Sequence, residues 1–139
     1  MNLPFPLPNL PGRSDAPVWR DPFFVVGGER LRVLDYGAEP TGWTDELTSI
    51  HEDVDDEHHF TNVASREHAL RGVVRWAPTS NPLILDVGCS SGYMLKLLRE
   101  RMPTAVVAGA DCVTGPLEHL AATMPGVPLF RLGEVSPAG

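Results

Sequence analysis

The sequence predicts an α/β fold built on a doubly wound parallel sheet, and three observations carry that reading. Residues 83–87, Leu-Ile-Leu-Asp-Val, form a short apolar run broken by a single acid, as a strand covered on both faces should be. Gly88 to Gly92 then makes a glycine-containing turn, and Tyr93-Met94-Leu95-Lys96-Leu97-Leu98 opens a helical pattern. A second apolar run, Ala105 to Ala110, also ends in an acid, Asp111. Strand, tight turn, helix and second strand are the parts of a βαβ unit.

Each further element follows in order. Pro116-Leu117-Glu118-His119-Leu120 starts a second helix, and 128–132 reads as a third central strand. Upstream, Phe23-Val26, Gly27-Gly28 and Arg30-Leu34 predict a β-hairpin, because paired glycines supply the positive φ angles of a tight turn. Thr44 is a candidate N-cap, with Leu47, Ile50 and Val54 at helical spacing behind it. Ser65 is a candidate cap for a longer helix with the stripe Ala69, Leu70, Val73, Val74 and Ala77, stopped by Pro78. Trp43 and Trp76 flank these helices and are expected as core anchors. Six prolines in the first 22 residues predict an extended, loose leader. The expected organisation is therefore a leader over 1–22, a hairpin and helical cap over 23–80, and a ligand-binding portion over 81–139.

Composition narrows the function. The 139 residues fit one small domain, and an apolar fraction of 42% supports a packed core. No apolar run approaches the ~20 residues that cross a membrane. The first residues lack the pattern of a signal peptide, so a cytoplasmic location is expected. The net charge is −7, and residues 39–57 hold eight acids with no Lys or Arg between them. Such a sector opposes a nucleic-acid partner. It reads as a solvated helix face and loop, or as a site for a cationic substrate. Cys89 and Cys112 form no metal-binding pair. His51, His58 and His59 lack the spacing of a metal site, so no metal is expected.

The turn carries the chemistry. Gly88 and Gly92 let the backbone bend sharply and approach a ligand. An acid at the strand end, Asp86, repels a pyrophosphate and suits hydroxyls or a positive charge. Asp111 stands 19 positions beyond Gly92, where a strand–helix–strand unit brings an acid to ribose hydroxyls.

The pattern Asp86-x-Gly88-x-Ser90-x-Gly92 resembles motif I of the class I S-adenosylmethionine (SAM) methyltransferases, with Ser90 where the commonest form has glycine. The resemblance runs from about Asn81 onward and implies a Rossmann-like fold with SAM as cofactor. It implies that Asp86 lies near the amino group of the methionine moiety. Gly88, Cys89, Ser90 and Gly92 would line the cofactor, and Asp111 would accept both ribose hydroxyls. Cys112 either flanks the adenine or simply packs, Cys89 is alternatively a buried filler, and Glu134 would meet the adenine amino group. Only three central strands are visible, fewer than a whole class I sheet. The first of them would keep an unpaired apolar edge. The resemblance thus implies the N-terminal part of a methyltransferase, either truncated or completed by another chain or a second copy at that edge. The expected acceptor is a small molecule, and no catalytic base is identifiable. The rival readings are a non-catalytic interaction module and an NAD-dependent oxidoreductase, the latter opposed by Asp86 and by the glycine spacing.

Overall fold

The computed structural model describes residues 3, 6–37, 46, 59–77 and 81–133. Within them the α/β expectation holds: a four-stranded parallel sheet with helices follows a small antiparallel sheet, a partial Rossmann-like architecture.

The antiparallel sheet comprises β1 (Val18–Arg20), β2 (Phe23–Val26) and β3 (Glu29–Leu31), in that order. Val26 pairs with Glu29 across Gly27 and Gly28, whose φ angles are +56° and +88°. The hairpin turn is where the glycine pair predicts it. Its second arm is shorter than predicted, because the chain leaves the hairpin at Arg32. β4 (Val33–Asp35) then joins the other sheet, parallel to β7 (Leu129–Arg131). Three contacts favour that exchange. Leu34 becomes fully buried, Asp35 pairs with the Arg131 guanidinium at 2.9 Å, and the Arg32 side chain donates to the carbonyls of Pro22 and Ala121.

The parallel sheet runs β4-β7-β6-β5, with β5 at Leu83–Val87 and β6 at Val106–Asp111. It therefore holds four strands where the sequence predicts three. The extra one comes from the hairpin arm, whose alternating apolar residues fit either partner.

Among the described residues three helices pack on one face: α1 (Phe60–Trp76), α2 (Tyr93–Arg101) and α3 (Thr114–Thr123). Leu70, Leu95, Leu98, Leu117 and Leu120 pack there over Val107 and Leu129. Two expectations for α1 fail. Ser65 lies inside the helix, and His59 holds the N-cap position without a side-chain cap bond. Trp76 is 75% exposed, so it is no core anchor among the described residues, and of the predicted stripe only Leu70 is buried. α3 begins two residues before Pro116, which a first helical turn tolerates because its N–H needs no helical partner there.

The opposite face is covered at one end by the antiparallel sheet and the leader. Trp19 meets Phe24 edge-on at 4.7 Å, and Phe24 contacts Phe130 at 5.4 Å. Leu7 and Leu10 are buried in the same cluster, and Val18–Arg20 pairs with β2. The leader is thus extended but not loose. Proline restricts the backbone without preventing the leucines between from packing.

Among the described residues β5 is the sheet's edge, as the unpaired first strand predicts. Leu83, Leu85 and Val87 share one face and are 40%, 51% and 69% exposed. No helix among the described residues is long and apolar enough to cross a membrane. Trp43, Thr44, the helix expected behind it, Pro78 and most of the acidic stretch lie outside the described residues.

Candidate functional site

Parallel pairing sends the carboxyl ends of β5 and β6 to the same edge of the sheet. The register places Asp86 beside Gly109 and Val87 beside Ala110, so Asp111 follows directly at the same end. The turn after β5 is anchored to β6. The backbone N–H groups of Gly88 and Cys89 both donate to the Ala110 carbonyl, at 2.8 and 3.0 Å.

Three residues of this turn have left-handed φ: Gly88 at +78°, Ser90 at +42° and Gly92 at +77°. Gly88 leaves open space where a Cβ would stand. At Gly92 a Cβ would collide with the Leu120 side chain, so this glycine serves the packing of α2 against α3. Ser90 adopts a conformation that a Cβ makes costly.

Asp111 holds that conformation in place. Its Oδ2 accepts the Ser90 N–H at 2.9 Å, and its Oδ1 accepts the Val113 N–H at 3.1 Å, just ahead of α3. A carboxylate offers about four lone-pair sites, so two remain. The sequence reading weighed turn amides as partners for Asp86. The structure gives that task to Asp111.

Asp86 is placed differently. Its carboxyl is pushed above the usual carboxylate range by burial first and by the Asp111 charge second. Among the described residues it has no hydrogen-bond partner. It lines a crevice of about 170 Å³ together with Gly88, Ser90, Ser91, Tyr93 and Arg66. Asp111 stands behind the turn, outside that lining, yet close enough for the two carboxylates to sense each other.

Cys89 contributes backbone at the turn while its side chain fills the core at 5% exposure. Its thiol is pushed up to about 12, by burial first and then by Asp111 and Asp86. A protonated, buried thiol is no nucleophile. Cys112 is half-buried, and burial followed by the Asp111 charge raises its thiol as well. Glu134, His51 and His58 lie outside the described residues.

Arg66 is a site residue the sequence did not mark. It comes from α1, and its guanidinium lies over the Tyr93 ring, 5.0 Å from the centroid. The Lys96 ammonium lies 5.3 Å from the same centroid. Nothing in the spacing of α1 distinguishes Arg66 from Arg71 or Arg75. Only the packing of α1 beside α2 brings it to the crevice. The wall then carries one acid and one base of opposite sign, around backbone and serine groups that can form hydrogen bonds.

No protein-family model matches the chain, and no solved structure matches it. A local similarity does exist to the malonyl-[acyl-carrier protein] O-methyltransferase of Acetivibrio thermocellus, 47% identical over 36 residues. That stretch is 26% of this chain and 13% of the other protein. The parallel sheet fits a Rossmann-like fold, and the short likeness points toward methyltransferases.

Proposed function

We propose that this chain carries the cofactor-binding part of a SAM-dependent methyltransferase acting on a small molecule. The observation that carries the reading is the placement of Asp86 and Asp111 at the same end of adjacent parallel strands, around a left-handed turn. The residues fit such a cofactor. Asp86 can accept an ammonium group, the spare lone pairs of Asp111 can accept ribose hydroxyls, and the open space at Gly88 admits close approach. Cys112 and Glu134 are the proposed neighbours of the adenine. The likeness to an O-methyltransferase favours an oxygen acceptor.

When bound, the cofactor supplies a methyl group made electrophilic by its sulfonium. The protein's part is to orient that group, which the tied turn supports by fixing the backbone before the ligand arrives. Titration calorimetry with S-adenosylhomocysteine, SAM and NAD tests the reading. The first two should bind and NAD should not. Binding of NAD, or no binding of either adenosyl compound, would overturn it. The open edge of β5 favours one second reading, a non-catalytic module that docks another chain. Self-association without any adenosyl binding would be its signature.

A further inference from the structure

We propose a second binding site, at the amino end of the parallel sheet, for a small zwitterion with an apolar body, of the class of an aromatic amino acid. It lies at the opposite end of the strands from the Asp86 crevice and does not depend on the cofactor reading. A cavity of about 390 Å³ opens there, lined by the turn that follows α2 and the turn that follows α3. The two turns are built alike. Met102 ends α2 with φ −131° and ψ 66°, Met124 ends α3 with φ −128° and ψ 65°, and a proline follows each. Met102 and Pro103 from the first turn, with Val127 and Pro128 from the second, give the cavity apolar walls.

Three polar groups belong to the same cavity. Asp21 reaches it from the turn after β1, and Arg99 reaches it from α2. Both approach one point above Gly126, where a Cβ would stand 3.8 Å from Asp21 Oδ1 and 3.9 Å from Arg99 Nη2. Among the described residues the two form no ion pair with each other, so a gap separates acid from base. The bare backbone of Gly126 keeps that gap open. The third group is the Val107 carbonyl. The β6–β7 ladder starts at Gly109 and Leu129, where Gly109 donates to the Pro128 carbonyl at 3.0 Å. One step earlier the parallel pattern calls for Pro128 to donate to Val107, and proline has no N–H. Val107 is 5% exposed and lines the cavity, so its carbonyl is a buried acceptor without that ladder donor.

An α-amino acid matches these groups. Its carboxylate meets Arg99, and its ammonium carries three donors for Asp21 and the Val107 carbonyl. One carbon joins its two charges, which lets the head bridge a gap that a direct ion pair leaves unfilled. Its side chain packs against methionine, valine and proline. A volume in the range of about 300–1,000 Å³ typical of small-molecule pockets suits an aromatic side chain better than a small one.

Titration calorimetry on the full chain tests the site with three probes. L-Phenylalanine carries both charges, 3-phenylpropanoate lacks the ammonium, and phenethylamine lacks the carboxylate. Phenylalanine should bind at least about tenfold more tightly than either of the others. Arg99→Ala and Asp21→Asn should each weaken it by about tenfold or more. Both side chains are exposed, so these variants should melt as wild type does. Gly126→Ala is the sharpest variant. Gly126 lies outside the left-handed region, and the added methyl makes only ordinary contacts, so the fold should be kept. The methyl fills the gap, and phenylalanine binding should be lost. Absence of phenylalanine binding to wild type overturns the proposal. So does equal binding of all three probes, or undiminished binding to a well-folded Gly126→Ala chain. Competition between phenylalanine and S-adenosylhomocysteine would move the ligand to the Asp86 crevice and overturn it too.

Discussion

Asp111 Oδ2 accepts the backbone N–H of Ser90 at 2.9 Å, so the acid that ends β6 fixes the turn that follows β5. The same carboxylate accepts the Val113 N–H. Asp111→Ala would leave both donors without their partner. The expected cost is about 1–3 kcal/mol for each donor cut off from water, and toward the low end here because both bonds are only partly buried. The variant should melt earlier and bind S-adenosylhomocysteine weakly. Asp111→Asn keeps one accepting oxygen and should fall between. An unshifted melting temperature for Asp111→Ala would show that the turn does not depend on this side chain.

Ser90 tests the same turn from the other side. Its φ of +42° lies where a Cβ crowds the backbone. Ser90→Gly removes that crowding but frees the unfolded chain. A net gain of about 0.5–1 kcal/mol is expected in denaturant unfolding. Ser90→Val, with a branched Cβ, should lose more than that. If glycine destabilises the chain, a bond from the serine side chain outweighs the backbone strain.

Asp86 should stabilise nothing at neutral pH. Its folded-state value is raised by burial and by Asp111, so the folded chain holds the proton more tightly than the unfolded chain does. Stability therefore falls as pH rises from the ordinary carboxylate value through the raised one, and the penalty persists above it. Asp86→Asn should raise Tm at about pH 7, with the gain vanishing near about pH 3. The same variant should weaken S-adenosylhomocysteine. A residue that costs stability and supports binding is the pattern of a functional site. A loss of Tm at neutral pH would instead make Asp86 a structural acceptor.

The βαβ unit was legible because its signals are local. The apolar run 83–87, the glycine turn and the second acid each depend on neighbours in sequence, and all three appear where those neighbours place them. What was not legible depends on distant partners. Arg32 ends the hairpin because Pro22 and Ala121 offer carbonyls, and the residues before it do not reveal that. Leu7, Leu10 and Val18–Arg20 sit among prolines, so their composition reads as a tail until Phe24 and Phe130 supply a surface. Ser65 resembles a cap, but helix α1 starts earlier because nothing between Phe60 and Ser65 breaks it. Arg66 joins the crevice only through the packing of α1 beside α2.

The two cysteines should separate cleanly in labelling. Cys89 is 5% exposed and its thiol is pushed up to about 12. Near about pH 8 the native chain should therefore react at Cys112 first, and slowly, since that thiol is also raised. Cys89 should react only on unfolding. Between the ordinary thiol value and about 12, the folded state keeps a proton that the unfolded state releases. Stability should accordingly decline as pH rises through that window, and Cys89→Ala should flatten the decline. Rapid modification of both thiols in the native chain would contradict the buried placement of Cys89.

The outer edge of β5 should govern how the chain associates. Leu83, Leu85 and Val87 project from one face of an edge strand, beside a groove of about 320 Å³ that Ala108, Ala110 and Phe130 help to line. Edge strands usually carry lysine, proline or a bulge that discourages further pairing. Among these five residues the one charge is Asp86, which shares the opposite face with Ile84 and lines the crevice there. Among the described residues the edge is therefore unguarded on its apolar side, and concentration-dependent association is expected in sedimentation velocity. Leu85→Lys places a charge at the centre of that side. Because Leu85 is 51% exposed, the substitution should change stability by no more than about 0.5 kcal/mol. It should shift the sedimentation profile toward monomer while leaving S-adenosylhomocysteine affinity intact, since Leu85 and the crevice lie on opposite faces. Association that persists unchanged in Leu85→Lys would locate the contact elsewhere on the molecule.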